Sequence, residues 1–359
     1  MSFGVEILNS HNQLIKMKRR TFIKSSALAG VGIISSGLSF GKPFQQSAQT
    51  GKRVGIIGLD TSHATAFARS LNAENASPDL GGYKVVAAYP QGSRDIESST
   101  RRLPGYIENV KNLGVEIVDT IPDLLNKVDV VLLETNDGRP HLEQVIPVLK
   151  AGKTVFIDKP IAGSLTDAIA IFQAARDYKV PVFSSSSLRY MTNIDDIMKN
   201  QSIGKVLGAT TFSPCTLEPA HPDLFWYGIH GVEPLYTVMG VGCQTLTRVH
   251  TPDTDVVVGV WEGGRVGSFR GLRSGRPGYG GHVFGEKGIK TLGDYNGYDP
   301  LLKEIAKFFQ TGISPVAEEE TLEIFTFMEA ADESKRRDGA SVNLAETKQI
   351  ALAKVKKIW

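Results

Sequence analysis

The sequence predicts an α/β chain of two domains: a doubly wound parallel sheet followed by an α+β domain with an open, largely antiparallel sheet. Three observations carry this. From Arg53 onward, short β-branched runs alternate with longer helical stretches, the pattern of parallel strands joined by crossover helices. After about Ser187 the rhythm changes to longer strands with few helices between them. At 359 residues with 41% apolar content, the chain also exceeds what one hydrophobic core usually supports. The expected divisions are a leader and linker over 1–50, a first domain over 51–186 and a second over 187–359.

The first-domain strands are read at Val54 to Leu59, Lys84 to Tyr89, Val115 to Val118, Val130 to Leu133, Thr154 to Ile157 and Pro181 to Ser184. Helices are expected at Pro140 to Ala151 and Leu165 to Tyr178, each stopped by Gly or a basic residue. Ligands of such a sheet bind at the carboxyl ends of its strands. The second domain offers strands at Lys205 to Phe212, Gln244 to His250, Asp255 to Trp261 and Arg265 to Leu272, then a Gly-rich turn region from Gly275 to Gly288. One helical piece follows His230. Two amphipathic helices close the chain, Asp299 to Phe309 and Glu318 to Arg337; the second has acids in its first turn and bases in its last, matching the helix dipole.

The formal charge of +2 conceals an asymmetry, because residues 1–50 hold six Lys/Arg and one Glu, leaving 34 basic against 37 acidic residues in the body. A body near −3 gives no electrostatic reason to expect nucleic acid as a partner. Lys18-Arg19-Arg20-Thr21-Phe22-Ile23-Lys24 precedes a charge-free stretch from Ser25 to Gly41, the order of an export signal. The paired arginines resemble a twin-arginine signal, which implies the twin-arginine export machinery as a partner and a periplasmic destination. That stretch is too short and too diluted by Ser and Gly to span a membrane, so no span is expected in the mature protein. Cys215 and Cys243 read as buried thiols, although export permits a bridge.

The first strand runs into Gly58-Leu59-Asp60-Thr61-Ser62-His63. A dinucleotide fingerprint has glycines at the second and third key positions, for close approach of the pyrophosphate and tight helix packing. Here Asp60 and His63 stand there. Asp60 or Ser62 caps the following helix, or Gly58, Asp60, Thr61, Ser62 and His63 face a cofactor. After the second strand no acid appears until Asp95; Ser93 and Arg94 accommodate a ribose phosphate, favouring NADP over NAD, or form a surface turn. Thr135 and Asn136 follow one strand, and Asp158-Lys159-Pro160 follows the next, placing a lysine beside an acid where the open sheet holds its ligand. His221, His250 and His282 show no metal-ligand spacing, and no metal is expected.

The run Ala151-Gly152-Lys153-Thr154-Val155-Phe156-Ile157-Asp158-Lys159-Pro160 resembles the Glu-Lys-Pro segment of the Gfo/Idh/MocA family of oxidoreductases, with Asp for Glu. Thr135 to His141 resembles that family's T-P-N-x-x-H loop, and Gly228 to Glu233 its G-x-H-x-x-D segment. Glu318 to Lys335 is similar to its closing helix. The resemblance spans roughly 52 to 345 and implies a Rossmann-type first domain with NAD or NADP bound, although the altered fingerprint leaves open that neither is. It also implies Lys159 and His230 in proton transfer, with Asp158 and Pro160 toward the cofactor. Glu233 occupies the acid position, and Arg189 and Tyr190 at the domain junction contact substrate or brace the interface. The family's additional acid four residues before the histidine is Trp226 here. The substrate class implied is a sugar or polyol, and a homo-oligomer is expected by analogy. Two other functions stay open: an NAD-dependent glycosidase using transient oxidation, resembled by His230-Gly231-x-x-Pro234, and a carbohydrate-binding homologue that has lost the dinucleotide.

Overall fold

The computed structural model describes residues 51–358; the export signal read at Lys18 to Lys24 lies outside them. The first sheet has six parallel strands, β1 (Arg53–Ile57), β2 (Lys84–Tyr89), β3 (Glu116–Ile117), β4 (Val130–Leu133), β5 (Val155–Ile157) and β6 (Val182–Phe183), in the order β3-β2-β1-β4-β5-β6. The order reverses at β1, which pairs with β2 on one side and β4 on the other. The helices α1 (Ser62–Asn72), α2 (Glu97–Lys111), α3 (Ile121–Leu125), α4 (His141–Lys150) and α5 (Leu165–Tyr178) connect the strands.

Strand periodicity explains why the middle strands of this sheet are almost wholly apolar. On β4, Val130 and Leu132 enter one core while Val131 and Leu133 enter the other, so both faces are covered and no polar alternation survives. One core is closed by α1 and by a returning helix from the end of the chain, whose Leu301, Ile305, Phe308 and Phe309 pack with Phe67, Phe156 and Phe183.

Beyond two short helices, α6 (Ile194–Met198) and α7 (Asp223–Trp226), comes α8 (Ile229–Met239). The second sheet contains β7 (Val206–Pro214), β8 (Cys243–Thr251), β9 (Thr254–Trp261), β10 (Val266–Leu272), β11 (Gly280–Gly285), β12 (Gly288–Leu292) and β13 (Val342–Asn343), ordered β12-β11-β7-β10-β9-β8-β13. All its pairs are antiparallel except β7 with β10. The chain ends in α9 (Asp299–Thr311), the returning helix, then α10 (Glu318–Arg336) and α11 (Leu344–Ile358).

Two expectations fail here for physical reasons. The region read as Gly-rich turn contains β11, whose glycines are packed rather than loose: a Cβ on Gly280 would lie 2.6 Å from the Phe212 ring, and one on Gly281 2.4 Å from the Thr210 carbonyl. The chain also closes with three helices instead of two. Cys215 and Cys243 are separate buried thiols. No helix among the described residues is long and apolar enough to cross a membrane.

Candidate active site

The carboxyl ends of β1, β4 and β5 face α7, α8 and the loops around β11 and α9 across a cavity of about 280 Å³. Lys159 is delivered by β5 and held by Pro160 through a cis peptide bond. His230 comes from the first turn of α8. Both line this cavity, together with Thr61, Ser62, His63 and Asn136 from the strand ends.

The seating of α8 depends on Gly231, where a Cβ would come within 2.3 Å of the Phe269 ring on β10. His230 Nδ1 lies 3.1 Å from Ser186 Oγ, and the ring is edge-on to Tyr227 at a centroid distance of 4.8 Å. Burial, reinforced by the charges of Lys159 and His63, pushes the His230 pKa well below the ordinary imidazole value, so the ring is neutral near pH 7. The α7 segment ahead of it is anchored by buried Arg248, whose guanidinium bonds Asp223, Asp255 and Asp332. Trp226, standing where the family's second acid would be, forms part of the cavity wall with Tyr227, Tyr279, Tyr295 and Tyr298. Burial raises the Tyr279 and Tyr295 phenols, keeping both protonated as hydrogen-bond donors. Sequence reasoning missed these aromatics, along with Ser98 and Arg102 on α2.

Arg189 and Tyr190, read as contacting substrate or bracing the interface, do not line the cavity, and neither does Glu233 in the acid position. Glu233 accepts bonds from Ser185 Oγ (2.6 Å), Ser186 N (2.8 Å) and Arg189 Nε (3.0 Å), and Arg189 also reaches Glu320 at 2.6 Å. Five residues of α8, the serine loop and α10 are thus braced, and the same loop holds the His230 ring. The Tyr190 hydroxyl is buried without a hydrogen-bond partner among the described residues.

Asp60 neither caps α1 nor faces the cavity. The cap is Thr61, whose hydroxyl accepts from His63 N. The Asp60 carboxylate is buried beneath the turn and accepts from Ser93 N (2.8 Å), Ser93 Oγ (2.5 Å) and Asn136 N (3.1 Å). It therefore bridges the loop after β2 to the loop after β4, directly across the end of β1. Arg139 to Asp95, Asn136 Nδ2 to Ser99 Oγ (2.8 Å) and Gln144 Nε2 to the Gln91 carbonyl (3.3 Å) lace the same two regions together. Gly58, with φ of +85°, lies against Thr135, whose hydroxyl bonds Gln144. Ser93 is committed to Asp60, and exposed Arg94 lies 3.8 Å from exposed Glu143.

His63, Glu134 and Asp158 converge beside Lys159. His63 Nδ1 is 2.9 Å from Asp158 Oδ2, an ionic approach without hydrogen-bond alignment, and Lys159 Nζ is 3.7 Å from the same oxygen. Burial, then the Asp158 charge, raises the Glu134 pKa; on Asp158 burial acts the same way but His63 and Lys159 outweigh it and hold the carboxyl low. Among the other histidines, His221 faces Asp137 at 3.0 Å and His250 faces Asp255 at 2.7 Å. His282 lies on the exposed face of β11.

Residues 24–186 match the Gfo/Idh/MocA family model, described as an oxidoreductase family with an NAD-binding Rossmann fold. An inositol 2-dehydrogenase of Gluconacetobacter diazotrophicus is 36% identical over 97 residues, covering 25% of this chain and 28% of that protein. A probable dehydrogenase from Thermotoga maritima shares the fold with a TM-score of 0.66 at 22% identity, over 82% of this chain and 99% of that one. The scyllo-inositol dehydrogenase of Lactobacillus casei, solved with NAD(H) and scyllo-inositol, gives 0.63 at 15% identity over 84% and 100%. For such a dinucleotide, the start of α1, Asn136 and Lys159 are the cavity-lining groups at the strand ends, and the Asp60 carboxylate ties together the loops after β2 and β4 that flank the end of β1. Over residues 24–186, a little under half of its length, the chain is similar to the NAD-binding Rossmann domain of the Gfo/Idh/MocA oxidoreductases.

Proposed function

We propose that the protein oxidises or reduces a hydroxyl-bearing carbon of a cyclic polyol or sugar. The observation that carries this is the meeting of Lys159, from the sheet end, with neutral His230, from α8, in one cavity walled by Trp226 and four tyrosines. Aromatic faces suit the C–H faces of a sugar ring, and the tyrosine hydroxyls and Asn136 suit its oxygens. His230 accepts the hydroxyl proton, and the Lys159 ammonium donates a hydrogen bond to the same oxygen as negative charge grows on it. A bound nicotinamide supplies the hydride acceptor. Glu233 acts at a distance by fixing the Ser185–Ser186 loop against which His230 rests. The inositol named in two relatives supports the polyol class. The Lys18 to Lys24 segment supports a periplasmic location after twin-arginine export.

The test is a panel of inositols and sugars with NAD, following nicotinamide reduction, beside mass spectrometry of a denatured extract for co-purified nucleotide. Turnover that Lys159→Met removes is the expected result. The Asp60 bridge favours one second reading, a homologue that binds carbohydrate without dinucleotide. Neither co-purified nor titratable nucleotide, with a polyol still bound, would establish that reading instead.

A further inference from the structure

Beneath the cavity floor, three polar side chains from the start of α1 and the ends of β4 and β5 meet at one point. The third fingerprint position, where glycine normally lets α1 pack on β1, holds His63. Strand β4, apolar through Leu133, is followed by Glu134, and β5 is followed by Asp158. Both carboxylates are 0% exposed, and none of their four oxygens has a hydrogen-bond partner among the described residues. The His63 Nδ1 is also without a hydrogen bond. One ligand atom from each residue lies within 4.8 Å of the others.

Buried carboxylates in proteins are paired, hydrogen-bonded or bound to metal. Here one ammonium, Lys159 Nζ, stands 3.7 Å from Asp158, and no cation forms an ion pair with Glu134 among the described residues. Asp158 thus has His63 at 2.9 Å and Lys159 as charged neighbours but no aligned hydrogen bond, and Glu134 has neither a hydrogen bond nor an ion pair among the described residues.

The geometry points to a binding site for one first-row divalent metal ion, of the Zn²⁺ or Mn²⁺ type, held by His63, Glu134 and Asp158. The donor set selects this class, because an imidazole beside two carboxylates suits borderline transition ions, whereas Mg²⁺ and Ca²⁺ prefer oxygen alone. Three protein ligands leave further positions for water or a ligand oxygen. His63 and Lys159 line the cavity directly above, so an ion here adjoins the place where a substrate hydroxyl would bind. Sequence spacing conceals the set, since its members come from α1 and from the positions just after β4 and β5. The site does not depend on the oxidoreductase reading, and its test reads metal content instead of turnover.

The full-length protein is stripped with chelator, desalted, reconstituted with Zn²⁺ or with Mn²⁺, and passed through gel filtration before metal analysis and thermal melting. About one ion per wild-type chain and a raised Tm are expected, because an ion that binds only the folded state stabilises it. Glu134→Gln and His63→Ala should each weaken retention by about tenfold or more, while His282→Ala, on the exposed face of β11, should not. The metal-free Glu134→Gln protein should melt no lower than metal-free wild type, since the change removes a buried ionisable group, and its near-ultraviolet circular dichroism checks the fold. If Glu134→Gln does not fold, His63→Ala carries the comparison. Wild type retaining less than about 0.1 ion per chain with either metal would overturn the site and leave a proton shared by the two acids. Equal retention by the ligand variants would overturn it as adventitious binding.

Discussion

Replacing Asp60 by Gly tests whether the bridge across β1 controls access of a dinucleotide. The carboxylate accepts three hydrogen bonds, two from Ser93 and one from Asn136, at 2.5–3.1 Å. Hydrogen bonds to a charged group contribute about 1.5–3 kcal/mol each, but they share one acceptor whose burial is itself costly, so the net loss on removal is about 2–4 kcal/mol. Part of that is restored when water reaches the freed amides of Ser93 and Asn136. Opening the bridge in the wild type draws on the same interactions. A bridge that costs about 2 kcal/mol to open weakens NAD binding about 30-fold, since each 1.4 kcal/mol is a factor of ten. Asp60→Gly should therefore lose stability in urea while binding NAD about 30-fold more tightly by calorimetric titration. Loss of stability with no gain in affinity would refute the bridge as the barrier; equal tight binding by both proteins would show that the crevice is already open.

Lys159→Met and His230→Ala should each lower kcat/KM by about 100-fold or more, and the double variant should fall less than the product of the two, as for groups acting on one proton. The depressed His230 pKa has a stability consequence whose sign is fixed: the unfolded chain takes up the proton first, so wild type loses stability relative to His230→Gln as pH falls below about 6.5, by up to about 1.4 kcal/mol per unit. Urea titrations of both proteins at several pH values read that difference directly. Gly231→Ala should cost about 1–3 kcal/mol by driving a methyl into Phe269, and lower turnover further by displacing His230. Changing Arg19 and Arg20 to Lys should retain the protein in the cytoplasm, as cell fractionation would show; unchanged periplasmic yield would exclude twin-arginine export.

The parallel sheet was legible because both of its faces are covered. The expected bounds of β2 and β4 coincide with the observed ones, since β4 is an unbroken apolar run and β2 is one after Lys84. Helix α2 was missed because its sequence opens on Glu97-Ser98-Ser99-Thr100-Arg101-Arg102 and carries Pro104, leaving few buried positions to show a period. β11 was hidden for the opposite reason, because packing on β7 excludes side chains at Gly280 and Gly281 and leaves a string of glycines that reads as turn. Local composition reports a strand only where the strand can hold its preferred residues.

At the site, the residues that adjacency could reveal were found and those that only folding assembles were not. Lys159 stands out beside Asp158 and Pro160, and His230 beside Glu233, because each sits in a short recognisable run. Asp60 and His63 were visible as departures from a glycine pattern, yet their side chains go opposite ways: Asp60 turns beneath the turn to Ser93 and Asn136, while His63 meets Asp158 and borders the cavity. Glu134 gave no signal, since one acid after an apolar strand is ordinary. The two glycine replacements thus carry different physical consequences. The Asp60 carboxylate is fully hydrogen-bonded and acts on the shape of the crevice, so its removal should change access. The acids below His63 are unsatisfied and act on charge, so an added cation should change stability; the two effects are separable in the same protein by titrating NAD and metal independently.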